Sequence, residues 1–228
     1  ELAAVVMEPV LCNSGVIAPL PGYLEAARAL TARHGVLLIF DEVITGFRLA
    51  LGGAQEVYGV VPDLAIYAKA VAAGFPLSVV AGRQDIMDLI ARRVVAHSGT
   101  YNGNPISLAA ADAALGELSR PGVYERVNAL GRDLASGART LLMQHRLPAI
   151  VHQAGPVLQL LFTTRQTVAD YRALTECDAG RNATLTRELR SHGVLILPDG
   201  RWYLSTAHTR EDIATALQAL DVSLAAIV

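Results

Sequence analysis

Lysine is nearly absent from this sequence. Of its 19 basic residues, Lys69 is the one lysine and the other 18 are arginine. Any chemistry that needs a primary amine from a side chain therefore has a single place to occur. Cysteine is as scarce. Cys12 and Cys177 form no disulfide framework and no metal-ligand spacing, which suits a reducing cytoplasm and gives no reason to expect a metal. Charge of one sign is lacking too. The formal net charge is −2 with no long run of like charges, so a role on nucleic acid or a membrane surface has no electrostatic footprint. Long apolar runs are also missing: the stretch 36–40 falls far short of the roughly 20 residues that span a bilayer. The first residue is Glu1 and an apolar run starts at Ala3, so a further portion of the same domain is expected upstream.

What is present is apolar. The chain is 52% hydrophobic and 18% charged, which excludes disorder and allows a substantial core. Short apolar stretches alternate with longer amphipathic ones, the pattern of an α/β sheet with crossover connections. Strands are predicted at 3–7, 36–40, 64–68 and 77–81, and helices at 22–34, 84–92 and 105–118. The run 36–40 is continuous, as in a strand buried on both faces. Arg120-Pro121-Gly122 breaks the pattern and divides a domain over 1–121 from one over 122–228. The second reads as a small α+β domain, with helices at 123–145, 179–192 and 210–228 and strands at 157–162, 194–197 and 202–205.

Ligands of open parallel sheets bind at the carboxyl ends of the strands. Asp41 follows the strand 36–40, and Lys69 ends the strand 64–68, 28 positions later. An aspartate after a strand is often only a cap, and a lone lysine is usually a solvated surface residue. Lys69, however, sits in Ala-Ile-Tyr-Ala-Lys-Ala-Val-Ala-Ala-Gly, with no charged neighbour between Leu64 and Arg83. An amine and a carboxylate over one sheet edge suit pyridoxal 5'-phosphate. That cofactor needs a lysine for an imine with its aldehyde and an acid beside its ring nitrogen. The lysine then carries protons at the substrate's α-carbon. The polar stretch 98–105 leads into a helix and could present N–H and hydroxyl groups to a phosphate, or be an ordinary capped loop.

Several blocks together resemble the class III aminotransferases, in particular the glutamate-1-semialdehyde aminomutase-like branch. They are Glu8-Pro9-Val10, Asp41-Glu42-Val43-Ile44-Thr45-Gly46-Phe47-Arg48, Gly52-Gly53-Ala54-Gln55, Pro62-Asp63-Leu64, Lys69, Gly99-Thr100, Gly103-Asn104-Pro105 and Ala207-His208-Thr209. The resemblance spans nearly the whole chain and implies a fold-type I α/β transferase. Residues 1–121 would be the C-terminal portion of the large, mostly parallel-sheet domain and 122–228 the small domain, with the family's N-terminal half absent. It also implies roles. Lys69 would hold the cofactor as an internal aldimine, and Asp41 would pair with its ring nitrogen. Val43 would pack on one face of the ring, and Asn13 would lie near the phenolic oxygen. Thr100 would reach the phosphate in a neighbouring subunit, making a homodimer with shared sites. Arg48 is read as structural. The partners would be a small-molecule amino donor and a carbonyl acceptor.

The loop Pro198-Asp199-Gly200-Arg201-Trp202-Tyr203 is shorter than in the aminomutases and lacks their glutamate, which favours amino transfer between two substrates over isomerisation of one. Glutamate-1-semialdehyde 2,1-aminomutase stays as the alternative. An inactive fragment or a non-enzymatic binding protein on the same fold is the remote one. A nucleotide hydrolase is a further rival, because 36–42 has the form of a strand ending in Mg²⁺-binding acids. The lone lysine lies in no phosphate-loop pattern, which argues against it.

Overall fold

The computed structural model describes residues 2–227. Residues 1 and 228, which belong to the expected domains and to the expected closing helix 210–228, lie outside the described residues. Contacts divide the chain into two units. One holds the residues up to Pro9 together with Pro19–Pro121, and the other holds Val10–Ala18 with the residues from Gly122 on.

The first unit begins with β1 (Ala4–Met7), α1 (Tyr23–Arg33), β2 (Leu37–Asp41), α2 (Gly53–Tyr58) and β3 (Leu64–Tyr67). A 3₁₀ turn over Lys69–Ala72, β4 (Val79–Gly82), α3 (Gln84–Ala91) and α4 (Pro105–Leu118) complete it. The sheet order is β1-β2-β3-β4. The first three strands are parallel, with Ala4 opposite Leu37 and Asp41 opposite Ile66, whereas β4 runs antiparallel to β3. α1 ends where glycine permits it: Gly35, at φ 64°, takes the left-handed conformation that closes a helix. Alternation along β2 buries Leu38 and Phe40 completely. They pack with Leu24 and Val60, flanked by Val5, Met7 and Tyr58. The opposite face of β2 is only half-buried, so the expectation of a strand buried on both faces holds for one.

Asp63 pins the amino end of this strand pair. Its side chain is 5% exposed and accepts from Arg28 Nη1 at 2.8 Å and Arg83 Nη1 at 2.9 Å. The backbone N–H of Leu38 also donates to it, at 2.8 Å. Burial pushes its carboxyl upward, but the Leu38 N–H and the two guanidinium groups outweigh burial and hold it below the usual aspartate range.

The second unit contains α5 (Val123–Gln144), β5 (Ala149–Ala154), β6 (Val157–Phe162), α6 (Tyr171–Leu174), α7 (Ala179–Ser191), β7 (Arg201–Tyr203) and α8 (Arg210–Ala225). Its sheet is antiparallel in the order β5-β6-β7. Every residue of the central strand β6 is buried. Leu158, Leu160 and Phe162 join the helix-covered core, which includes Leu134, Leu185 and Leu220. Leu161 instead meets Ile17 and Val168, with Leu11 beside them. This contact explains why Val10–Ala18 groups with the second unit and not with the contiguous 1–121 that the sequence suggested. Thr209 and Asp212 form a reciprocal capping box at the start of α8.

Several elements differ from the sequence reading, the short helix α6 among them. β5 joins β6 through the two-residue turn Gly155-Pro156, with Gly155 at φ 53°. Residues 194–197 form no strand. Bonds from the Leu197 N–H to the Arg201 carbonyl, at 3.1 Å, and from the Gly200 N–H to the Leu197 carbonyl, at 2.9 Å, close the turn that follows, and Leu195 is 77% exposed.

Replacing Asp63 with Asn should cost about 1–3 kcal/mol, because an amide nitrogen takes the place of a buried oxygen that now accepts from the Leu38 N–H or a guanidinium group. Its folded-state carboxyl titrates below the unfolded one. Its contribution is therefore complete above the usual aspartate value of 3.8 and is lost as pH falls through the depressed value. Urea midpoints across an acid series measure both effects, and Asp63→Asn should flatten the acid limb. An unchanged midpoint would show that the carboxylate is not the pin.

Candidate active site

The parallel pairing of β2 with β3 brings the carboxyl ends of both strands to one edge of the first unit's sheet. Asp41 is the last residue of β2 and lies opposite Ile66, while Lys69 follows β3 by two residues. Asp41 is half-buried, and its Oδ1 accepts from the Val43 N–H at 3.0 Å. That bond closes a tight turn and fixes the carboxylate's orientation.

Lys69 is exposed, and its side chain forms no ion pair among the described residues. Its φ of 52° is left-handed, a conformation that costs a side-chain-bearing residue about 1–3 kcal/mol and persists only where the surroundings impose it. Ala73, at φ 49°, closes the same turn in the same strained region. Between them Val71 and Ala72 are buried against Ala111 of α4, with Phe47 and Leu77 alongside. Lys69 also lines an open cleft of about 510 Å³ with Arg48, Ala70, Ala73, Phe75 and Leu77 among its walls.

Beneath the Asp41 turn lies Glu42, fully buried. Its backbone N–H donates to the Ile66 carbonyl at 2.9 Å, continuing the strand pairing by one residue. Its carboxylate accepts from the Thr45 hydroxyl at 2.7 Å, the Ala54 N–H at 2.7 Å and the Gln55 N–H at 3.0 Å. Gly53, at φ 74°, abuts this carboxylate so closely that a Cβ would collide with it. The Gln55 side-chain amide donates in turn to the Tyr67 hydroxyl. Burial raises the Tyr67 phenol above its ordinary range and the Glu42 charge adds to the rise, while the bond from Gln55 opposes it.

Of the residues singled out in the sequence, Asp41, Val43 and Lys69 gather at one sheet edge. Thr100 lies on the exposed loop that leads into α4 and lines no part of the cleft. Asn13 belongs to the second unit, where its Oδ1 accepts from Arg201 Nη1 at 2.8 Å. The sequence reading assigned no role to Glu42, Gln55 or Tyr67. The available signal was a second acid inside an apolar block, next to Asp41.

The chain is similar to known proteins. A family model described as aminotransferase class-III matches residues 1–223. Among curated relatives, a glutamate-1-semialdehyde 2,1-aminomutase of Thermomicrobium roseum is 42% identical over 230 residues, covering 100% of this chain and 53% of the relative. The chain thus spans about half the length of the curated relatives it matches. Among solved structures, an omega-transaminase from Sphaerobacter thermophilus superposes with a TM-score of 0.92 at 29% identity, over 98% of this chain and 52% of that one. A glutamate-1-semialdehyde-aminomutase from Pseudomonas aeruginosa PAO1 gives 0.88 at 28% identity, over 99% and 52%.

Glu42→Gln should destabilise the protein by about 2–3 kcal/mol, since an amide nitrogen would face donors that now meet a buried carboxylate. Chemical denaturation reads the loss. A midpoint equal to that of the unsubstituted protein would remove Glu42 as the anchor of this turn.

Proposed function

This chain belongs to the class III aminotransferase family, and on that premise we propose that the full-length protein transfers an amino group between an amino donor and a keto or aldehyde acceptor, using pyridoxal 5'-phosphate held by Lys69. The observation that carries the proposal is the single lysine of the chain, one strand away from Asp41 at the same sheet edge. The residues present fit the cofactor. Lys69 has no ion-pair partner among the described residues, so its amine is available to a carbonyl carbon. Asp41 has one oxygen fixed by the Val43 N–H, which leaves the other for a ring N–H. When bound, the cofactor supplies an electron-withdrawing ring that stabilises negative charge at the substrate's α-carbon.

The chain's own residues do the rest. Lys69 would hold the cofactor through its aldehyde carbon and would carry the proton at the substrate's α-carbon. Asp41 would keep the ring nitrogen protonated by its charge. Val43 would pack on the ring, and the family resemblance assigns Asn13 to the phenolic oxygen. Thr100 would donate its hydroxyl to the phosphate in a partner subunit, and the working unit would be a homodimer. In this reading the first unit is part of the large cofactor-binding domain and the second is the small domain. The free thiols of Cys12 and Cys177 suit the cytoplasm. No described helix is long and apolar enough to cross a membrane.

Identity of 42% to aminomutases supports a second reading, isomerisation of glutamate-1-semialdehyde. The short turn at 198–200, closed by the Leu197–Arg201 bond, favours transfer, because an aminomutase must retain its intermediate whereas a transferase releases a keto product.

Lys69→Ala in the full-length protein should abolish the visible cofactor band. Borohydride reduction of the unsubstituted protein should place the cofactor mass on the Lys69 peptide, and a reduced adduct elsewhere would refute the assignment. In a separate single-turnover experiment, an amino donor alone should discharge the band and release one equivalent of carbonyl product per site, and a keto or aldehyde acceptor should restore it. Isomerisation of glutamate-1-semialdehyde to 5-aminolevulinate, with no exogenous acceptor ever used, would establish the second reading instead.

A further inference from the structure

Lys69 occupies a strained backbone position, and strain of that kind requires clamps on both sides. The clamp after it is apolar: Val71 and Ala72 are buried against Ala111. The clamp before it is Tyr67, the last residue of β3. The ring of Tyr67 lies against Gly46, where any Cβ would strike it, and stands 5.3 Å from the Phe47 ring at 51°. Packing accounts for the ring and leaves the hydroxyl unexplained. The hydroxyl accepts from Gln55, whose backbone N–H is held on the Glu42 carboxylate next to Asp41.

We infer that the Tyr67 hydroxyl, held through Gln55 on the Glu42 anchor, is a positioning group that sets Lys69 relative to Asp41. The inference rests on the reading of Lys69 given above. The connection runs through side chains from the Asp41-Glu42 turn to the residue two places before Lys69. It parallels the backbone bond from Glu42 to Ile66, which reaches one residue less far along β3. Backbone pairing holds Tyr67 on the β4 side alone, opposite Val79; toward Asp41 it ends at Ile66. The hydroxyl extends the hold on the Asp41 side to Tyr67. Burial and the Glu42 charge keep the phenol protonated, so it meets Gln55 as a neutral acceptor and the connection does not open near neutral pH.

The test uses the full-length protein with its cofactor and two variants, Tyr67→Phe and Gln55→Met, each of which removes one end of the bond and keeps the bulk. The first readout is the pH midpoint of the visible band of the Lys69-linked cofactor, which depends on how the amine lies relative to Asp41. It should move by about half a unit or more in each variant. The second is a split of kinetic parameters: kcat should fall roughly tenfold while KM stays within about twofold. The double variant should be no worse than either single one, because both remove the same connection. A midpoint unmoved in both variants, whatever their thermal stability, would make the hydroxyl a merely structural group and overturn the inference. Should Tyr67→Phe fail to fold, Gln55→Met decides alone by the same criteria. Absence of a visible band in the unsubstituted protein would overturn the Lys69 reading, and this inference with it.

Discussion

Parallel pairing of β2 with β3 is the constraint on which the first unit depends. Two parallel neighbours deliver their carboxyl ends to the same edge, about 5 Å apart, whatever the intervening connection does. The connection here runs through a turn, a short helix and a loop, and none of it needs to know where Lys69 will lie. What it must do is hold the pair in register, and a buried carboxylate at one end and a backbone N–H at the other achieve this. Asp63, just before β3, accepts from the Leu38 N–H at the start of β2. The backbone N–H of Glu42, just after β2, donates to the Ile66 carbonyl near the end of β3. A one-residue slip would break both connections and would turn Leu38 and Phe40 out of the core, so the register that aligns Asp41 with Ile66 is also the one that buries the strand.

The two carboxylates differ in how they are satisfied, and the difference matches their position. Asp63 is compensated by two arginines that belong to α1 and to the segment after β4, so it ties a helix and an edge strand to the central pair. Glu42 has no arginine among its hydrogen-bond partners. Its oxygens are met by a hydroxyl and by backbone N–H groups at the start of α2. Backbone donors satisfy a buried acid without a long charged side chain, and they hold the loop by its main chain, which cannot swing away as such a side chain can.

Asp41 and Lys69 were legible in the sequence because their placement follows from strand order alone. Each stands at the end of an apolar run, and in a parallel sheet that suffices. Tyr67 and Gln55 were not legible. Their bond depends on the path of a loop, and a tyrosine at a strand end reads as ordinary packing. The pairing of Ile17 with Leu161 is non-local by more than half the chain, and no periodicity reports it. β5 was missed because six residues of weak alternation look like loop until their partner β6 is known, although Gly155-Pro156 was a usable turn signal. The apolar stretch at 194–197 misled for the opposite reason. It has strand composition and even alternates, with Val194 and Ile196 on the core and Leu195 exposed, but no strand among the described residues pairs with it, and hydrophobic composition makes a strand only where a neighbour is hydrogen-bonded to it.

The near-absence of lysine gains meaning from what replaces it. Arginine keeps its proton throughout the accessible pH range and offers no free electron pair to a carbonyl carbon. A chain with 18 arginines and one lysine therefore carries its positive surface in a form that cannot compete for an aldehyde. The one residue able to react in that way stands in an apolar stretch, in a backbone conformation that its neighbours must enforce. A solvated surface lysine needs neither condition, since its amine works equally well from any flexible stem. An amine that must meet a planar ring at one carbon does need them, because placement decides whether the bond forms at the right face. On the proposed reading, one requirement, a fixed direction for the amine, would account for both the strain at Lys69 and the buried clamps around it, since a covalently held cofactor imposes that requirement.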